Sequence, residues 1–353
     1  MAYPSDPFKP YDANHQTLKG PGDARPTTLQ VLKDNNAFGK LKGKTILITG
    51  CSAGLGVETA RGLYETGATL FLTARDMKKL DGVIDDIVQN AQHNKDGPRP
   101  QAVEMHLDSL ESVRKGVEAF KQQSGNKLNI LIENAGVMAC PFTPTKDGYE
   151  QQLGVNHFAH FLLFQLLRPT LITSAKESGS ASRVIVLSSA AHRRGGLLFS
   201  DEEGLNAWNK GDNYDKWKAY AQAKTANVYM ANELDRRYGS QNVVGVSVHP
   251  GGILTDLPRH LSQEDLAALG VGDSMAHIFK NPSQGAATTV WAAVSPHFEG
   301  KNGGRYLEDV GESSPAQEGT VMGDPGYEPH AYDKKSEEML WKISCKVVGV
   351  QDD

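Results

Sequence analysis

Between positions 45 and 248, short and almost wholly apolar runs alternate with longer stretches in which apolar residues recur every three or four positions. The short runs, 45–49, 69–73, 102–107, 128–132, 184–187 and 243–248, predict strands covered on both faces, because nearly every position is apolar rather than every second one. The longer stretches, 54–66, 77–91, 109–123, 147–175, 219–238 and 283–294, predict amphipathic helices. Strand and helix alternating this often predicts an α/β fold: a Rossmann-type, doubly wound parallel sheet in a single domain.

The flanks break the rhythm. Residues 1–40 lack a period and carry Pro and Gly punctuation, which predicts an N-terminal arm, surface-draped or partly disordered. Residues 41–310 read as a nucleotide-binding domain that includes two irregular segments. The first, 190–218, carries Trp208, Tyr214 and Trp217; the second, 252–282, holds a short predicted helix at 263–269. Both leave the carboxyl ends of strands, where open α/β sheets bind ligands. Residues 311–353 read as a C-terminal extension whose helix, 334–348, packs on the domain.

Composition narrows the class. The apolar set makes up 39% of the chain and 36 glycines add to it, so the chain is not disordered throughout. A net charge of −5, from 37 basic and 42 acidic residues, argues against a nucleic-acid binder. No apolar run nears the roughly 18 residues of a membrane span, and no secretory leader is recognisable, so no membrane anchor is expected. The three cysteines, Cys51, Cys140 and Cys345, are too few and too far apart for a disulfide framework or a CxxC metal site. A cytoplasmic protein is the expectation. The eleven histidines form no HExxH-like set, so no metal is expected.

The strongest local signal is Thr49-Gly50-Cys51-Ser52-Ala53-Gly54-Leu55-Gly56, between a predicted strand and a predicted helix. Glycines at 50, 54 and 56 permit a tight turn and close backbone approach, and the helix start offers free N–H groups to a pyrophosphate. Ser52 and Leu55 lie in the same cradle. The second strand leads into Ala74-Arg75-Asp76. An acidic residue here would receive the ribose 2′-hydroxyl of NAD, whereas Arg75 can pair with the 2′-phosphate of NADP(H). Arg75 favours NADP(H); the other reading leaves Arg75 solvated and gives the hydroxyl to Asp76.

Taken in order, the glycine turn, Asp108, Asn134-Ala135-Gly136, Asn156, Ser188-Ser189, Tyr220-x3-Lys224 and Pro250-Gly251-Gly252-Ile253-Leu254-Thr255 resemble the short-chain dehydrogenase/reductase family. The resemblance runs from about Gly43 to Leu307. Asn134 to Pro141, Val155 to Leu162 and Tyr220 to Asn227 look like its retinol dehydrogenase-like branch. It implies an oxidoreductase interconverting a carbonyl and an alcohol of a lipophilic or aromatic small molecule. Tyr220 would be the acid/base, Ser189 would hydrogen-bond the same substrate oxygen, Lys224 would lower the phenol pKa and hold the nicotinamide ribose, and Asn156 would order a proton-relaying water. Asp108 would meet the adenine edge or simply cap the next helix. Pro250, Gly251, Ile253 and Thr255 would meet the nicotinamide carboxamide. The resemblance also implies a homodimer or homotetramer through the helices at 147–175 and 219–238, unless the terminal segments block that face.

Two choices follow. Tyr214 and Lys218 repeat the Tyr-x3-Lys spacing but enclose Asp215, Lys216 and bulky Trp217, whereas Ala221 and Ala223 leave room beside Tyr220. Consecutive residues at a strand end face opposite ways, so only one of Ser188 and Ser189 can face a nicotinamide; the family resemblance implies Ser189, leaving Ser188 as a loop-capping hydroxyl. Two rival readings remain: a non-redox enzyme of the same fold, and a catalytically silent nucleotide-sensing scaffold.

Overall fold

The computed structural model describes residues 6–253, 261–262, 265, 273–321 and 323–352. Eight strands form one sheet: β1 (Thr45–Ile48), β2 (Thr69–Ala74), β3 (Gln101–Glu104), β4 (Ile130–Glu133), β5 (Ser182–Leu187), β6 (Val243–Val248), β7 (Arg305–Glu308) and β8 (Gly311–Glu312). Their order across the sheet is β3-β2-β1-β4-β5-β6-β7-β8. All neighbours run parallel except β7 and β8, which form an antiparallel pair at the edge. This is the doubly wound, Rossmann-like single domain that the alternation predicts. The third strand is shorter than expected, ending at Glu104 rather than at 107. β7 and β8 escaped prediction because they are short and carry Arg305, Glu308 and Glu312, which hide the apolar run.

The two faces of the sheet divide the core by the strand alternation. Ile46, Ile48, Ile130, Ile132 and Ile185 pack under the helices Leu55–Tyr64, Met77–Gln89 and Pro282–Val294. Leu47, Leu131, Val184 and Val186 pack under the helices Leu110–Ser124, Ala159–Ser178 and Lys216–Tyr238. Caps fix where these helices begin. Asp215 accepts from the N–H groups of Trp217 and Lys218, and Asn281 with Gln284 closes a reciprocal capping box behind Pro282. Among the described residues, no helix is long and apolar enough to cross a membrane.

The terminal segments are built into this core. Residues 28–34 form a helix whose Val31 and Leu32 are fully buried, so this part of the arm is neither draped nor disordered. Upstream of it, the Arg25 guanidinium donates to the carbonyls of Ile278 (2.8 Å), Phe279 (2.5 Å) and Gly20 (3.1 Å) and pairs with Asp23. At the other end, the helix Lys334–Val348 buries Leu340, Trp341, Ile343 and Val348 against the two long helices. Trp341 meets Phe161 edge-on, with ring centroids 4.9 Å apart. The face through which self-association was expected is therefore occupied by the chain's own helix.

Candidate active site

β1, β4, β5 and β6 end at the same edge of the sheet, and each runs into a turn that lines one cavity of about 710 Å³. The volume lies within the usual range for small-molecule and cofactor sites.

After β1, Gly50 (φ +73°) and Gly54 (φ +65°) adopt left-handed backbone that only glycine takes without strain. Space is equally tight. A Cβ at Gly50 would lie 2.8 Å from the Ala135 Cα, and one at Gly56 would lie 2.3 Å from the Gly50 carbonyl oxygen and 2.7 Å from Asn134 Nδ2. Gly54 caps the helix Leu55–Tyr64 without a side chain, so no side chain claims the first N–H groups. Cys51 is fully buried with its thiol on the Ile48 carbonyl, and burial pushes its pKa up; it is a packing residue, not a reactive thiol.

Asn134 donates to the Thr49 carbonyl at 2.9 Å, and the Ala135 N–H donates to the Thr49 hydroxyl at 3.0 Å. Thr49 also meets His160 Nε2 at 2.9 Å, while His160 Nδ1 meets the Asn156 carbonyl at 3.0 Å. Thr49 and His160 thus tie the first turn to the fourth strand's turn, a role not read from the sequence. The i, i+4 spacing of Asn156 and His160 is the signal that could have found it. Burial holds the His160 pKa down at about 4, so the ring is neutral.

Asn156 sits in a π-helical turn, Gly154–Phe158, a distortion that often marks functional positions. Its amide is spent on Val137, accepting from the N–H at 2.8 Å and donating to the carbonyl at 2.9 Å. Its side chain fixes the 134–137 turn.

The serine pair divides by function of place. Ser188 donates to the Lys224 carbonyl at 2.8 Å and does not cap the loop. Ser189 accepts from the Ala191 N–H at 3.1 Å, capping the turn Ala190–Arg194, and its hydroxyl also bonds the Tyr220 phenol. Tyr220 and Lys224 are successive turns of one helix, with Lys224 Nζ 5.7 Å from the Tyr220 ring centre. Burial pushes the phenol up to about 12, partly offset by the Ser189 hydrogen bond. Burial pulls the Lys224 ammonium down to about 7, and its Nζ donates to the Leu187 carbonyl at 2.8 Å. Tyr214 takes no part: its hydroxyl bonds Cys140, Gln152 and Glu150, and Lys218 is exposed.

The remaining expected residues spread along the cavity. Gly50, Ser52, Gly54, Leu55, Arg75, Asp108, Asn134, Ala135, Gly136, Ser189, Tyr220, Lys224, Pro250, Gly251 and Ile253 all line it; Gly56 and Asn156 stand behind the wall. Thr255 and most of 263–269 lie outside the described residues. Asp76 spends a carboxylate oxygen capping the helix Met77–Gln89, whereas exposed Arg75 faces the cavity. Asp108 does not cap the next helix, for Ser109 does, and a buried Asp108 oxygen has no partner among the described residues. The glycine cradle, the open helix start and this unclaimed oxygen fit a dinucleotide. The cavity also takes in residues that no motif marked: Ile278, Phe279, Thr320, Val321, Gly323 and Glu328.

Comparison with known proteins gives this geometry relatives. A family model described as short chain dehydrogenase matches residues 44–200. The short-chain dehydrogenase/reductase prx1 of Penicillium roqueforti is 41% identical over 94% of this chain and 93% of its own. Retinol dehydrogenase 14 of Mus musculus is 36% identical over 88% of both chains. A crystal structure of an uncharacterized Mycobacterium paratuberculosis protein superposes with a TM-score of 0.65 at 27% identity, over 90% of this chain and 97% of that one.

Proposed function

The chain belongs to the short-chain dehydrogenase/reductase family, and on that premise we propose that it is an NADP(H)-dependent oxidoreductase that reduces a ketone or aldehyde of a lipophilic or aromatic small molecule. The observation that carries this reading is the meeting of Tyr220, Ser189 and Lys224 in the cavity that starts at the glycine turn.

When bound, the nicotinamide supplies the hydride, and the protein supplies orientation and proton management. Gly50, Gly54 and the N–H groups of the following helix would hold the pyrophosphate, Arg75 the 2′-phosphate, Asp108 the adenine edge, and Lys224 the nicotinamide-side ribose. Tyr220, kept protonated by burial, gives its proton to the carbonyl oxygen. Ser189 donates a hydrogen bond to that same oxygen and stabilises the charge growing on it. The nearby Lys224 ammonium favours the phenolate left behind. Arg75 rather than an acidic residue at the end of β2 supports NADP(H), because a carboxylate there would repel the 2′-phosphate.

The test is an absorbance screen of NADPH oxidation across aromatic ketones, quinones, aldehydes and fused-ring ketones, beside fluorescence titrations of NADPH and NADH. Turnover of apolar carbonyls with tighter NADPH than NADH binding is expected. Equal affinity for both nucleotides would refute the NADP(H) assignment. Equal turnover of small polar ketones would refute the lipophilic substrate.

A further inference from the structure

The mouth of the cavity is made by a loop from near the end of the chain. After β8 the backbone folds back on itself: the Ala316 N–H donates to the Tyr327 carbonyl at 2.8 Å and the Tyr327 N–H to the Ser314 carbonyl at 3.0 Å. A Cβ at Gly326 would stand 2.7 Å from the Ala316 Cα, so the two ends of the intervening loop, 317–325, touch. The base is anchored to the sheet, where the Glu308 carboxylate on β7 accepts from the Gly326 N–H at 2.6 Å and the Ser313 hydroxyl at 2.5 Å.

From that base the loop reaches the substrate end of the cavity. Thr320, Val321 and Gly323 line it, and Gly323 lies against Ile278, whose Cδ1 would be 3.1 Å from a Cβ there. Arg193 pins the loop: Nη1 donates to the Asp324 carbonyl at 2.9 Å and Nη2 to the Val321 carbonyl at 3.2 Å. Arg193 belongs to the turn Ala190–Arg194 that Ser189 caps, so the loop is coupled to the turn carrying the substrate-facing hydroxyl. Among the described residues, Val321 is one of three large apolar side chains left exposed, at 63%. An apolar side chain held open to water beside a cavity gains most when an apolar ligand covers it.

We propose that Thr320, Val321 and Gly323, on the loop pinned by Arg193, form a specificity-determining wall that binds the far end of bulky, apolar, fused-ring substrates. The proposal rests on the carbonyl reading of this cavity. A small ketone that fills only the space around Tyr220 does not reach the wall; a fused-ring ketone does.

The experiment compares cyclohexanone with trans-1-decalone in the full-length protein. Binding is followed by fluorescence quenching, since Trp217 lines the cavity, and turnover by NADPH absorbance. Three variants are used: replacement of 317–325 by two glycines, Arg193→Gln, and Val321→Asp, whose exposed position makes it the safeguard should the first variant not fold. Loss of the wall is expected to weaken decalone binding about tenfold in the loop replacement and in Val321→Asp, and about threefold in Arg193→Gln. Cyclohexanone binding should stay within twofold. Unchanged decalone affinity, equal weakening of both ketones, or a wild-type protein that does not bind decalone would overturn the wall. If decalone binds and weakens as expected while NADPH is never oxidised, the wall stands and the oxidoreductase reading falls.

Discussion

The glycine-turn side of the cavity and its mouth are made from different kinds of chain. On the first side, β1, β4, β5 and β6 end in register, and ladder hydrogen bonds fix each turn within a residue of a strand. The mouth uses Ile278, Phe279, Thr320, Val321 and Gly323, which belong to no strand and are held by guanidinium groups on backbone carbonyls: Arg25 on 278 and 279, Arg193 on 321 and 324. Reacting groups thus sit on a rigid strand end (Ser189) and a rigid helix (Tyr220 and Lys224), and substrate-facing groups on pinned loops that can vary without disturbing the chemistry.

That contrast is sharpened first by breaking the rigid side. Tyr220→Phe should lower turnover about a thousandfold while NADPH titration stays within twofold, because only the proton donor is lost. Tyr214→Phe, removed from a structural hydrogen-bond cluster, should change kcat less than threefold. A reversal of the two results would exchange the residues.

pH tests the same side next. The raised phenol pKa, about 12, means that alcohol oxidation needs a minor phenolate form whose fraction grows tenfold per pH unit. From pH 7 to 9, kcat/KM for oxidation should climb relative to that for carbonyl reduction, because only oxidation needs the phenolate, whereas loss of the Lys224 charge above about 7 weakens nucleotide holding in both directions. Parallel profiles in both directions would argue against Tyr220 as the titrating group.

Arg75→Ala comes third. Loss of a charge-assisted phosphate contact should weaken NADPH about 10- to 100-fold in a fluorescence titration and leave NADH within twofold. An equal effect on both nucleotides would return Arg75 to a general surface role.

The smallest expected effect is at the mouth. Arg25→Lys keeps a charge beside buried Asp23 but loses the fork that holds two carbonyls. KM for a fused-ring ketone should rise about threefold, with kcat and NADPH affinity within twofold. If kcat falls with KM unchanged, Arg25 supports the chemistry rather than the mouth.

What could be read from the sequence follows the same division. The glycine turn and the Tyr220–Lys224 pair are local: their chemistry depends on spacings of a few residues, and the alternating pattern places the first after a strand and the second on a helix. The mouth depends on contacts between distant residues, such as Arg193 with Asp324, 131 positions apart, for which no local pattern exists. The Thr49–His160 contact spans 111 positions, and the only local trace of it is the i, i+4 spacing of His160 with Asn156. Asp108 was ambiguous because two adjacent residues could cap one helix, and only the backbone settles that Ser109 does. The N-terminal arm misled through composition: Pro and Gly punctuation masks one short helix whose apolar face is just Val31 and Leu32.

The most direct test of the account follows one atom. NADPH deuterated at the transferable C4 position, incubated with the protein and an accepted ketone, should leave its deuterium on the carbinol carbon of the alcohol product, read by mass spectrometry and NMR. Deuterium that stays on the nucleotide or is lost to water while product forms would contradict direct hydride transfer in the cavity of Tyr220 and Ser189.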